Sequence, residues 1–272
     1  MQAADPNTPI TELVGPLRQD AAAAAVLCDV DGTLAPIVER ADDAAVPDAA
    51  REALGELARS YAIVACISGR RAVVAREMVG IDGLTYVGNH GYERLRPRAT
   101  EAEALPALAG HEGEAAAFVA ALDPDELDGR GLRLEDKGPI RALHWRGAPD
   151  ELAAGRRADE IAAEAQESGL LVHSGRMVLE IRPPVEIHKG IAVAALLEEV
   201  AIRGALYGGD DRTDLDAFRS LRDMRATGEL ETAVCVGVTS QERPAGLARE
   251  ADVLVDGTDG FLEVLRALRP GG

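Results

Sequence analysis

The chain is poor in the residues that would commit it to an oxidising, membrane or nucleic-acid setting. Three of its 272 residues are cysteine: Cys28, Cys66 and Cys235. All lie in apolar, strand-like runs, with no paired metal-ligand spacing and no neighbouring histidine in sequence. An odd number of thiols so placed reads as reduced and buried, in a cytoplasmic protein. Positive charge is scarce, 29 Lys plus Arg against 47 Asp plus Glu, for a formal net charge of -18. That balance excludes the broad basic footprint a nucleic acid requires. It leaves room for a small anionic ligand only where cations are concentrated locally. The N-terminus has no basic stretch followed by an apolar core. The apolar stretch 21–28 is far shorter than the ~20 residues of a membrane span. No repeat or low-complexity tract appears beyond alanine richness.

What the chain does have is 47% hydrophobic residues in strongly patterned runs. Residues 1–20 read as a loose polar arm with one helical turn near 13–17. An apolar strand is expected at 24–28, then a helix opened by Pro47 and running to about 60, with Ala50, Leu54, Leu57 and Ala58 at helical spacing. A strand at 62–67, a helix at 72–79 and a strand at 84–88 follow. Strand and helix in alternation predict a parallel sheet with helical crossovers. From 95 the pattern changes. A helix near 113–122 precedes two alternating runs, 132–135 and 141–146, joined by Asp136-Lys137-Gly138-Pro139, a hairpin signal. A helix at 149–168 and strands at 171–173 and 177–181, joined at Ser174-Gly175, complete an α+β module. After Pro183-Pro184 the first pattern resumes, with helices at 189–203, 214–222 and 260–268 and strands at 205–208, 233–238 and 253–255.

Chemistry-bearing residues sit where the apolar strands stop. The first run ends in Asp29-Val30-Asp31-Gly32-Thr33. Two carboxylates one residue apart raise each other's pKa, and a hard divalent cation such as Mg²⁺ relieves the repulsion. Taken alone, the motif reads more readily as an acidic turn after an edge strand. Ser68 ends the second run, Lys189 opens a helix, and Gly209-Asp210-Asp211 with Asp214 follows the strand at 205–208. Each of these has a plain structural reading as a turn, a solvated helix start or a helix cap. Ligands of an open parallel sheet bind outside the carboxyl ends of its strands, so all four would converge on one pocket. There one carboxylate can attack phosphorus, a second can move protons, a cation can neutralise charge, and Ser68 with Lys189 can hold phosphate oxygens.

These residues resemble those of the haloacid-dehalogenase-like phosphatase superfamily. Within it the chain resembles the trehalose-6-phosphate phosphatases. The superfamily likeness rests on Asp29-Val30-Asp31-Gly32-Thr33, Ser68, Lys189 and Gly209-Asp210-Asp211. The narrower one rests on Asp31-Gly32-Thr33-Leu34-Ala35-Pro36-Ile37, Ser68-Gly69-Arg70, Gly88-Asn89-His90-Gly91-Tyr92-Glu93, Glu135-Asp136-Lys137-Gly138, Leu179-Glu180-Ile181-Arg182-Pro183, and the stretch from Gly209 to Phe218. Leu215 departs from the pattern, where the family often has Glu, and 94–113 matches no part of it.

The resemblance implies an α/β fold: a Rossmann-like parallel-sheet core (1–94 and 185–272) with an inserted α+β cap (95–184) that closes over the strand ends as a lid. It implies Asp29 as nucleophile and Asp31 as general acid/base. Mg²⁺ would be held by Asp29, the Asp31 backbone carbonyl and Asp210, with Asp211 and Asp214 supporting the metal site. Ser68 and Lys189 would hold the phosphate, with Arg70, Asn89 and His90 beside the substrate. Glu135, Lys137 and Glu180 would meet sugar hydroxyls, while His144 and Trp145 read as cap packing. The implied substrate is trehalose 6-phosphate, with no nucleic-acid or membrane partner, in the cytoplasm. A monomer is the default, and the sequence leaves the oligomeric state open. Three readings stay open: this substrate, another sugar phosphate such as sucrose phosphate or a mannosyl- or glucosyl-phosphoglycerate, and a catalytically silent regulatory subunit.

Overall fold

A computed structural model describes residues 9–38, 43–239 and 246–271. Two short helices, α1 (Ile10–Leu13) and α2 (Gly15–Gln19), precede β1 (Ala24–Cys28). There follow α3 (Asp48–Leu57), β2 (Ile63–Ile67), α4 (Ala72–Val79), β3 (Thr85–Gly88) and β4 (Glu93–Leu95). Next come a two-residue strand β5 (Glu103–Ala104), α5 (Glu114–Ala120), α6 (Pro124–Gly129), the hairpin β6 (Arg133–Lys137) and β7 (Ile140–His144), α7 (Glu151–Glu167), and the hairpin β8 (Leu171–Gly175) and β9 (Val178–Arg182). The chain then runs through α8 (Lys189–Glu198), β10 (Gly204–Gly209), α9 (Asp214–Thr227), β11 (Thr232–Thr239), α10 (Leu247–Glu250), β12 (Val253–Asp256) and α11 (Gly257–Ala267).

Two compact units result: residues up to Ala102 with Ile187 onward, and Glu103–Glu186 between them. In the first, the strands lie in the order β12-β11-β10-β1-β2-β3-β4. All pairs are parallel except β3 with β4. The strands are continuous apolar runs because a parallel sheet is covered on both faces. Val26 and Cys28 of β1 face a cluster built with Leu54 and Leu57 of α3, Ala75 of α4 and Phe261 of α11. Each such buried Val, Leu or Phe contributes roughly 1.5–3 kcal/mol. Ala25 and Leu27 point to the other face, where Tyr207 of β10 packs edge-on against Phe218 of α9, ring centroids 6.0 Å apart. β1 has β2 on one side and β10 on the other, so the strand order reverses at its carboxyl end. That is the crevice where open α/β sheets bind ligands.

The inserted unit carries the antiparallel sheet β6-β7-β9-β8. One sheet face, through Leu143, Leu179 and Ile181, packs with α5, α6 and α7 through Val119, Leu127, Ala158 and Ile161.

The structure departs from the sequence expectation in four places. The N-terminal arm is tied down from residue 9: Val14 and Leu17 are buried in the core, while residues 1–8 of that arm lie outside the described residues. The seams of the insert fall at 102/103 and 186/187 instead of 94/95 and 184/185, and β4 belongs to the core sheet. Its Arg94 looks like solvent-facing sequence, but it is buried with its guanidinium on Glu199 at 2.5 Å. α6 was not expected, although Asp123 caps it by accepting from the N–H of Asp125 and Glu126. The helix from Lys189 stops at Glu198, short of Arg203. Among the described residues no helix is long and apolar enough to cross a membrane.

Candidate active site

The period-two alternation of β1 carries on past its end. Asp29 continues the face of Ala25 and Leu27, the face covered by α8 and α9. The first residues of those helices are Lys189 and Asp214. His188 caps α8, accepting from the Gly190 N–H at 3.2 Å. The helix start thereby holds Lys189 inward, 1% exposed instead of solvated. Lys189 Nζ donates to Asp29 Oδ1 at 2.7 Å and to Asp214 Oδ1 at 2.7 Å. Asp214 also accepts from the Tyr207 hydroxyl at 2.8 Å and, through Oδ2, from the N–H groups of Asp210 and Asp211 at 2.9 and 3.0 Å. Gly209 lets this happen, since a Cβ there would lie 2.2 Å from the Asp214 carboxyl carbon.

Asp29, Asp210 and Asp214 each place a carboxylate oxygen within 4.8 Å of the others, all buried. Their donor capacity differs. Asp214 is saturated by four donors and acts as a hub. Asp29 and Asp210 keep lone pairs to offer, Asp210 accepting, among the described residues, a long contact from the Thr33 hydroxyl at 3.4 Å. Burial pushes the Asp29 carboxyl well up, against the pull of Lys189 and with Asp214 and Asp210 adding repulsion. Burial, then Asp214 and Asp211, push Asp210 up to about 7. Burial alone would lower Lys189, but the Asp214 and Asp29 carboxylates outweigh it and leave it raised. One ammonium thus faces more negative charge than it balances. Buried hard oxygen donors short of positive charge suit a divalent cation such as Mg²⁺. Gly32, at φ +88°, allows the loop to close on this spot, where a Cβ would fall 2.1 Å from Asp210 Oδ2.

Asp211 turns away from this cluster. Its Oδ1 accepts from Thr213 N and Oγ1 at 2.7 Å each and from Asp214 N at 3.1 Å, so it caps α9. Asp31 stands on the loop after β1, and its carboxylate is gripped by Arg70, Nε to Oδ2 and Nη2 to Oδ1, both at 2.7 Å. Ser68 is fully buried at the end of β2, and its Oγ accepts from Arg70 N at 3.1 Å. Asn89 and His90 form a left-handed turn after β3, φ +52° and +59°. That turn is laced to the Ser68 loop by Asn89 N to Arg70 O (2.8 Å) and His90 N to Ser68 O (2.9 Å). The His90 ring lies over Gly69, where a Cβ would come within 2.7 Å of it.

In the inserted unit, Glu135, Ala142, Glu180 and His173 are cross-strand neighbours in one row. Period two puts Lys137 and Arg182 on that same face, opposite the helices. Glu180 pairs with Lys137 Nζ at 2.9 Å and with Arg182 Nη2 at 2.5 Å. Burial favours the neutral form of Glu180, yet the two cations hold its carboxyl down at about 2. His144 is not a packing residue: its Nε2 lies 2.7 Å from Glu135 Oε2, and its ring is partly exposed. Trp145 packs at the edge of the unit's core, as expected. Leu215 is buried at the start of α9 and needs no polar partner.

Sequence reasoning missed Tyr207, Arg182 and His173, and the pairings of Arg70 and His144. The signal for Tyr207 was present: a tyrosine inside a buried strand needs a partner for its hydroxyl.

The trehalose-phosphatase family model matches residues 27–250. A Mycobacterium tuberculosis protein described as an uncharacterized glycosyl hydrolase is 38% identical over 213 residues, covering 73% of this chain and 15% of its own length. A probable trehalose-phosphate phosphatase of Oryza sativa subsp. japonica is 34% identical over 207 residues, covering 71% of this chain and 54% of its own. This chain therefore spans only part of the relatives it matches. The solved Aspergillus fumigatus trehalose-6-phosphate phosphatase shares the fold, with TM-score 0.66 and 24% identity over 98% of this chain and 99% of that one.

Proposed function

This chain belongs to the trehalose-phosphatase family, and from that premise we propose that it hydrolyses trehalose 6-phosphate to trehalose and inorganic phosphate through an aspartyl-phosphate at Asp29, with Mg²⁺ as cofactor. The observation that carries this reading is the buried Lys189 held between Asp29 and Asp214 beside Asp210. That arrangement supports a carboxylate nucleophile in a site suited to anionic oxygens.

The Asp29 carboxylate attacks phosphorus, and the bond from phosphorus to the sugar oxygen breaks. Asp31 gives the departing oxygen its proton. It then takes one from the water that attacks the aspartyl-phosphate, which frees phosphate and restores Asp29. Lys189 and the Ser68 hydroxyl bind phosphoryl oxygens as charge builds on them. Mg²⁺ held by Asp29, Asp210 and the Asp31 carbonyl would neutralise charge on the phosphoryl group and nucleophile together. Asp214 fixes Lys189, and Asp211 fixes the start of α9. Asn89 and His90 contact substrate from the turn laced to the Ser68 loop. Glu135, Lys137 and Glu180 bind sugar hydroxyls, and a site so equipped penalises a sugar that leaves its charged groups unpaired.

The test is phosphate release from trehalose 6-phosphate, sucrose phosphate, and glucosyl- and mannosyl-phosphoglycerate, with Mg²⁺ and with chelator. Trehalose 6-phosphate is expected to give the highest kcat/KM, and chelator to abolish turnover. Preference for another ester would overturn the substrate. Release that survives chelation would overturn the cofactor. No release from any ester would overturn the activity.

A further inference from the structure

The two loops that carry Asp31 and Ser68 are joined by one side chain. Arg70 stems from a base that cannot move freely. Its N–H is bonded to Ser68 Oγ, its carbonyl accepts from Asn89 N at 2.8 Å, and the His90 ring closes over Gly69 beside it. From that base the guanidinium reaches the loop after β1 and takes both oxygens of Asp31 in a fork, 2.7 Å each. The loop carrying Asp31 is itself cinched by Gly32 N to Ala35 O at 2.7 Å. The Asp31 side chain is 37% exposed, so packing encloses it only in part. A bidentate guanidinium does what packing does not, because two parallel bonds in one plane set both torsions of the carboxylate.

We propose that Arg70 is the positioning residue of the general acid/base: it acts through Asp31, orienting that carboxylate, and does not serve as a phosphate ligand. The proposal rests on the phosphatase reading above and replaces the substrate contact that the sequence suggested for Arg70. A lysine would not substitute, since an ammonium is a point charge without the planar fork.

The distinction is measurable because the two roles respond differently to the leaving group. A sugar alkoxide needs a proton to depart, whereas nitrophenolate leaves without one. Arg70→Ala is expected to slow single-turnover cleavage of the sugar phosphate about 10–100-fold, while the burst of nitrophenolate from p-nitrophenyl phosphate stays within about threefold of wild type. Arg70→Lys should behave like the alanine variant. In an Asp31→Asn background, Arg70→Ala should add less than about threefold, since a residue acting through another has nothing left to act on. Circular dichroism and thermal unfolding check the fold, and Arg70→Gln, which keeps most of the stem, takes the alanine variant's place if that one unfolds. A raised KM for both substrates with burst rates intact would overturn the proposal in favour of phosphate binding. Uniform slowing of both substrates, full rescue by lysine, or multiplying effects of the two substitutions would overturn it as well. Wild-type turnover of p-nitrophenyl phosphate separates this outcome from a failure of the activity itself.

Discussion

Lys189 Nζ lies 2.7 Å from Asp29 Oδ1, with the lysine 1% exposed and the aspartate carboxylate scarcely more so. An ammonium at that depth persists only because carboxylates surround it. Lys189→Met would leave Asp29 and Asp214 facing each other with no cation between them. Removing one partner from a buried pair costs about 3–5 kcal/mol. The expected outcome is a clear fall in thermal midpoint together with loss of phosphate release. Lys189→Arg should not restore turnover, since the site encloses a compact point charge and the planar fork is larger and differently directed. Turnover near wild type in either variant would remove Lys189 from the reaction.

That lysine was legible in the sequence as the residue that opens a helix in line with the acidic strand ends. Lys137 and Lys189 are the two lysines of a chain whose other basic residues are arginine, and both lie among the residues assigned to function. The strands ending at Asp29, Ser68 and Asp210 were readable because a parallel strand buried on both faces is an unbroken apolar run. β4 was not, because Glu93 and Arg94 are charged yet buried. Their partners, the Ala72 N–H and Glu199, lie 21 and 105 residues away in the chain. The Asp31–Arg70 fork was hidden for the same reason, since only the β1–β2 pairing brings the two loops together across 39 residues. His144 was misread because strand alternation says which face a residue takes and not which charge stands across from it.

Asp211 and Asp214 look alike in sequence, three residues apart, and the structure separates them. Asp214 accepts four hydrogen bonds with both oxygens, from Lys189, Tyr207 and two backbone N–H groups. An asparagine there would turn an NH₂ group against donors, and each buried group left unpaired costs about 1–3 kcal/mol. Asp211 uses Oδ1 for all three of its bonds, and an asparagine oxygen can take over that cap. Asp211→Asn is therefore expected to cost under about 1 kcal/mol. Asp214→Asn should lose several times more stability, and most of the activity with it. Chemical denaturation and phosphate release on the two variants decide the matter. Equal damage from both would mean that Asp211 does more than cap the helix.

Glu180 gives the inserted unit an acid sensitivity of predictable sign. Burial favours its neutral form, but Lys137 and Arg182 prevail and hold it at about 2 in the folded chain. The unfolded value is near ~4.3. A group depressed on folding contributes its full stability above the unfolded pKa and loses it as pH falls through the folded one. The window for this residue therefore runs from ~4.3 down to about 2. Its span of roughly two units corresponds to about 3 kcal/mol at most. Glu180→Gln keeps the shape and removes the charge. Its thermal midpoint should lie well below wild type at neutral pH, with the gap closing as both are melted at successively lower pH toward 2.5. Glu135→Gln is the contrast. Glu135 meets His144 at a half-exposed position, and such pairs are worth under ~1 kcal/mol. If the Glu180→Gln gap did not change with pH, the ion pairs with Lys137 and Arg182 would contribute nothing to folding, and the cations would have to be held there for the sugar alone.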